Sequence, residues 1–173
     1  FEAAKLLLEA GADVNARTQL PKPNGGATPM YFAVLSFGAS ASPKLVSLLL
    51  EAGADVTLKV AFDDEDGFGL DFETILGYYT SCIDAHADVV KMLLDAGADP
   101  NGKDTRFDHT PLHNVLCADE RVKISKLLLE YGADPLLTGK HGKTALDFAK
   151  VLSKGQDLID LLTEATEKAL KSS

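Results

Sequence analysis

Polar side chains recur three and then four residues apart in four otherwise apolar stretches: Glu2, Lys5 and Glu9; Lys44, Ser47 and Glu51; Asp88, Lys91 and Asp95; Lys123, Lys126 and Glu130. That spacing traces one narrow stripe down an α-helix. Most other positions in these stretches are Leu, Val, Ile or Ala, so each predicted helix meets water along one strip and is covered by neighbours elsewhere. A glycine follows each stretch (Gly11, Gly53, Gly97 and Gly132), where a left-handed residue ends a helix without a Cβ clash. Two residues further on stands an aspartate (Asp13, Asp55, Asp99 and Asp134), whose carboxylate can brace the turn.

A second signal alternates with the first. TPMYFAV from Thr28, TILGYYT from Thr74, TPLHNVL from Thr110 and TALDFAK from Thr144 each read as the start of a helix. A threonine hydroxyl satisfies an orphan amide of the first turn, and Pro29 and Pro111 fall where a missing N–H costs nothing. The two signals together predict helix pairs in series, with Leu127 expected in the core between neighbouring pairs.

TPLH at Thr110 to His113, followed by LLLEYGAD, resembles the ankyrin repeat, as do its sister copies ending in LLLEAGADVN, LLLEAGADVT and MLLDAGADPN. The resemblance covers essentially the whole chain. It implies an all-α solenoid of stacked antiparallel helix pairs with projecting β-hairpin loops. It also implies a concave face made of hairpin tips and first helices, and a role in binding proteins without catalysis. On this reading residues 1–173 form a single domain: a partial repeat 1–15, full repeats 16–57, 58–101 and 102–136, and a C-terminal capping repeat 137–173. The first segment holds only a second helix, so at least one further helix is expected upstream. Thr163, Lys168 and Lys171 suit the polar face and helix end of a cap. Asn15 is of the type that asparaginyl hydroxylases modify in some ankyrin proteins.

The copies are unequally spaced. The glycines lie 42, 44 and 35 residues apart, against about 33 in the family's common unit. From each glycine to the next threonine the chain runs 17, 21, 13 and 12 residues, which puts much of the extra material in the first two hairpins; Leu35 to Pro43 adds a little more between helices. Surface insertions are where function tends to reside. The second one, 58–73, carries six acids against Lys59, −5 of the chain's net −9, with Phe62, Phe68 and Phe72 interleaved. It reads either as a solvated loop or as a partner-binding finger with aromatic anchors and acidic steering. Asp64, Asp66, Gly67 and Glu73 also match positions 3, 5, 6 and 12 of a calcium loop, but Phe62 stands at position 1 and no flanking helix pair of that type is predicted.

Charge and composition narrow the partners. With a pI near 4.8 the chain lacks the clustered cations that phosphate backbones require, so nucleic acid is not expected, and a basic protein surface suits the field better. No apolar run approaches the roughly 18 residues of a membrane span. Cys82 and Cys117 make no disulfide framework and fit a reducing, intracellular compartment, either cytoplasm or, for a bacterial effector, the cytoplasm of a host. A monomer without cofactors is expected. His109, His113 and Cys117 are spaced four apart, but His113 is the TPLH histidine, whose role in the family is a structural hydrogen bond. GKHGKT at 139–144 has two residues between its glycines where a phosphate loop needs four.

The expected function is therefore a non-catalytic protein-interaction module: a scaffold, adaptor or targeting segment of a longer protein. Asp63, Asp64, Asp66, Phe68 and Phe72 of the acidic hairpin are the expected partner contacts, with Arg106, Phe107 and His109 of the third hairpin and Tyr31 at a TPLH-histidine position. Two alternatives stand beside it. One is a cation-responsive switch using hairpin 62–73, with Asp64, Asp66 and Glu73 as ligands. The other is the regulatory region of an enzyme whose catalytic domain lies upstream.

Overall fold

The computed structural model describes residues 1–18, 26–35, 42–58 and 74–172. Its helices are α1 (Glu2–Glu9), α2 (Pro29–Val34), α3 (Pro43–Glu51), α4 (Ile75–Thr80), α5 (Ala87–Asp95), α6 (Pro111–Asn114, continued by a 3₁₀ turn Val115–Cys117), α7 (Arg121–Glu130), α8 (Ala145–Val151) and α9 (Gln156–Ser172). Helices α2, α4, α6 and α8 touch in sequence to form one row, and α3, α5, α7 and α9 form a second row. This is the all-α solenoid expected from the repeat.

The starts and stops follow the sequence signals. Thr28 accepts a hydrogen bond from the Tyr31 amide at 3.3 Å and Thr74 from the Gly77 amide at 3.1 Å. Thr144 and Asp147 cap each other reciprocally. At the other end of a helix, Gly97 has φ +91° and Gly132 φ +88°. The following amides, of Ala98 and Ala133, reach back to Leu93 and Leu128 at 3.0 and 2.8 Å, tying off the last-turn carbonyls. The four turn aspartates repeat one bond: Asn15, Thr57, Asn101 and Leu136 each donate their amide to the preceding Asp13, Asp55, Asp99 or Asp134 at 2.8 Å.

The leucine-rich ends of the second helices show how burial depends on neighbours. The middle leucine of each triplet is 3% exposed at Leu49 and fully buried at Leu93 and Leu128, whereas Leu7 of α1 is 62% exposed. The register corrects one expectation. Leu127 lies half-buried at the edge of the core, and Leu128 and Ile124 occupy its centre, because the helix turns its 124/128 edge inward.

Three of the described loops close as hairpins. Thr18 pairs with Ala27 and Gly26, Asp104 with His109, and Gly139 with Lys143 through one or two backbone bonds each. Thr138 and Thr144 form one isolated antiparallel bridge, and no longer strand occurs among the described residues. In the loops 104–109 and 139–143 the turns at both ends leave room for little more than a closing pair.

Candidate functional site

On the first-helix side, the loop 102–109, Ser81 at the end of α4, α6 with its 3₁₀ turn, and α8 with Leu152 enclose an open cavity of about 350 Å³. Its walls are mostly rings. His109 stacks on His113 with ring centres 5.1 Å apart and planes 8° from parallel. Phe148 stands edge-on to both, at 5.2 and 6.0 Å. Phe107 lies 5.4 Å from His109 at the mouth, with the Arg106 guanidinium 5.0 Å over its ring. Leu116, Leu152 and Cys117 complete the apolar lining.

Polar bonds behind the rings hold this wall in place. Asp104, only 6% exposed, accepts hydrogen bonds from the amides of Phe107 at 2.6 Å and His109 at 3.2 Å, which fixes the loop around its corner residue Asp108, at φ +55°. The next loop is then tied on top. The Lys140 amide donates to Phe107 O at 2.8 Å, and the ammonium groups of Lys103 and Lys140 donate to Thr138 O and Thr105 O, both at 2.8 Å. Gly139 makes that approach feasible: a Cβ there would sit 2.8 Å from His109 Cδ2 and 2.9 Å from Phe107 O.

His113 has its tautomer fixed by its partners. Its Nδ1 faces the Thr110 amide at 3.3 Å and the Thr110 hydroxyl at 2.9 Å; an amide can only donate, so Nδ1 accepts. Nε2 therefore carries the hydrogen and donates to Lys143 O at 3.1 Å, across to the next loop. Burial pushes its pKa down to about 4, and a second proton would have to be placed against the Thr110 amide. The pKa of His109 is also lowered, chiefly by burial. The imidazole pair is thus neutral and structural at ordinary pH.

Of the residues expected at the site, Arg106, Phe107 and His109 converge here. Tyr31 does not: it is 3% exposed, with its ring 5.3 Å from Tyr78, and burial raises its hydroxyl pKa. A phenol has one polar atom where His113 uses two ring nitrogens to bridge Thr110 and Lys143, and at this position it turns in to pack. Asp63, Asp64, Asp66, Phe68, Phe72 and Glu73 lie outside the described residues. Among the described residues no group of three or more His, Cys, Asp and Glu side chains is placed to hold a metal ion. Cys82, half-buried behind Tyr78, has its thiol pKa pushed up to about 11 by burial and then by Asp84, which keeps it protonated. Helices long and apolar enough to cross a membrane do not occur among the described residues.

Phe148 is the important residue that sequence reasoning passed over. It stands four residues after its capping threonine, the same register as Phe32, Tyr78 and Asn114. Phe32 is 43% exposed and Asn114 lines the cavity, so that register marks the outward edge of the first-helix row. The local charge also differs from that of the whole chain. The loop 102–109 and the loop 137–144 tied to it carry Lys103, Arg106, Lys140 and Lys143 against Asp104 and Asp108, a net positive charge on a chain of net charge −9.

A sequence profile of the family described as ankyrin repeats (3 copies) matches residues 78–171, more than half of the chain. The chain belongs to the ankyrin-repeat family. No curated protein matches it. Ankyrin repeats are in general protein–protein interaction modules.

Proposed function

We propose that residues 1–173 act as a non-catalytic binding domain, a scaffold, adaptor or targeting segment, that holds its protein partner on the first-helix face. The observation that carries this reading is the ring-lined cavity. It is apolar, open, and bordered by a loop whose geometry is fixed by buried Asp104 and by the bonds from Lys140 to Phe107 O and Thr105 O. An apolar recess with rigid walls is where an interface concentrates its binding energy. The acidic stretch 58–73 serves in this reading as a second contact, for a basic surface of the same partner, through Asp63, Asp64, Asp66, Phe68 and Phe72.

The test uses photo-crosslinking amino acids at two positions. One replaces Phe107, 37% exposed at the cavity mouth; the other replaces Lys126, exposed on the opposite row. A partner captured from source lysate through position 107 and not through position 126 supports the assignment. Equal capture from both, or capture from 126 alone, overturns it. Replacing Ala61–Glu73 by a short Gly/Asn hairpin, after checking that the melting temperature is kept, then tests the acidic stretch: its role falls if the same partner is retained at the same yield.

A further inference from the structure

The cavity has a chemistry more specific than an apolar recess. Three of its walls are aromatic rings presented in both orientations: the stacked faces of His109 and His113, and the edge-on placement of Phe148 against them. An aromatic guest finds the edge-to-face and offset contacts that ring pairs prefer, whereas an aliphatic guest gains only area. At about 350 Å³ the space is at the small end of ligand sites and suits one large side chain.

Asp104 and Arg106 line the recess directly, and the loop 102–109 with the loop 137–144 tied to it carries Lys103, Arg106, Lys140 and Lys143 against Asp104 and Asp108, a net positive charge beside it. Asp104 points into its own loop and is taken up by two amides, so it offers little to a guest. Lys103 and Lys140 are each anchored by one bond to a carbonyl of the neighbouring loop, and an ammonium has three N–H groups, so both remain capable of meeting a carboxylate while held in place. Arg106 sits at the mouth over Phe107.

From these observations we propose that the cavity receives a single aromatic side chain, of Trp or Phe type, from an extended partner segment with acidic residues on both sides of it. This rests on the binding face assigned above and names the ligand chemistry of that face. The rim thus selects a partner sequence opposite in sign to the one that would suit the acidic stretch.

The protein contains no Trp, so a tryptophan peptide reports on itself. The probe is acetyl-Glu-Asp-Trp-Asp-Glu-amide, with a twin in which every acid is lysine and a competitor in which Trp is alanine. The acidic probe is expected to shift its emission to the blue and to saturate in about the millimolar range or below, as short unconstrained peptides do. The lysine twin is expected to bind roughly tenfold more weakly at low salt. The ring-proton resonances of His109 and His113 should move on titration, and the alanine competitor should leave them in place. The double charge reversal Arg106→Glu and Lys140→Glu should invert the preference between the two probes; Phe107→Ala should weaken both.

A lysine twin that binds as well as the acidic probe, or histidine resonances that stay put at saturation, overturns the proposal. If the probe fails while position 107 still crosslinks a partner, the anchor chemistry is wrong and the binding face stands. If both fail, the face itself is wrong.

Discussion

At the end of α5, Asn101 reaches the turn after α7 with both atoms of its carboxamide: Nδ2 donates to Gly132 O at 3.0 Å, and Oδ1 accepts from the Asp134 amide at 2.8 Å. At the end of α3 the equivalent residue is Thr57, whose hydroxyl turns back to Asp55 of its own turn at 2.7 Å. Asn15, at the end of α1, repeats the first arrangement, to Gly53 O and the Asp55 amide. The same apolar layer runs through all of these joints, but the polar fastening does not. Further bonds gather on the C-terminal side, where Glu120 accepts from the Ala87 amide at 2.7 Å, Asn114 donates to Gly77 O at 3.3 Å and Arg121 donates to Lys154 O at 3.1 Å. Between α2 and α4, Tyr31 and Tyr78 share a ring contact and a side-chain hydrogen bond. Among the described residues the turn after α3 has no carboxamide bridge to the turn after α5, whereas the α5/α7 joint adds bonds that fix its register. The cavity lies on the fastened side.

The largest effects should ignore this difference. Leu49→Ala and Leu128→Ala each remove a buried leucine and should cost about 2 to 5 kcal/mol in urea denaturation. Leu7→Ala, at the exposed sister position, should stay within about 0.5 kcal/mol. A marked inequality between Leu49 and Leu128 would mean that the apolar layer is not shared.

Acid should loosen one side selectively. His113 titrates near 6.5 when unfolded and at about 4 when folded, so between those values the unfolded chain binds more protons. Stability should be flat above pH 6.5 and fall as pH drops toward 4, by about 2 to 3 kcal/mol from this group. Hydrogen exchange should report the loss first around α6 and α8, which the His113–Lys143 bond connects. If α3 and α4 open first instead, the contrast between the joints is not what controls local opening.

The smallest effects address the contrast directly. Asn101→Ala should cost about 1 kcal/mol, the value of two exposed hydrogen bonds discounted for water. Thr57→Asn should raise the denaturation midpoint by less than that, since it supplies the side chain the other joints use. A neutral result for both would reduce the carboxamide bridge to decoration.

The helix pairs were legible because each one is written locally. A stripe of Asp88, Lys91 and Asp95, a capping Thr110 and a terminating Gly97 each act within one or two turns. The joints were not, because Asn101 reads as an ordinary turn residue until Gly132, 31 positions away, is placed beside it. The candidate site was half legible. Loop position alone marked Arg106, Phe107 and His109. Phe148 needed the lean of loop 137–144 over its neighbour, which depends on the missing Cβ of Gly139, and no local pattern encodes that approach. Tyr31 failed for the opposite reason: its position matched the histidine of TPLH, but its chemistry did not.

Asn101 is followed by Gly102, the pairing in which an asparagine most readily closes on the next backbone nitrogen and ages to an acid. Closure requires the carboxamide to turn toward that nitrogen, and here both of its polar atoms are engaged across the joint. The reaction has to wait for the joint to open. Each opening is then a chance for irreversible damage, because the resulting carboxylate has no N–H to return to Gly132 O. Deamidation at Asn101 would thus record how often the array had come apart, and a chain that had once lost this residue would lack the bond to Gly132 O that resists opening.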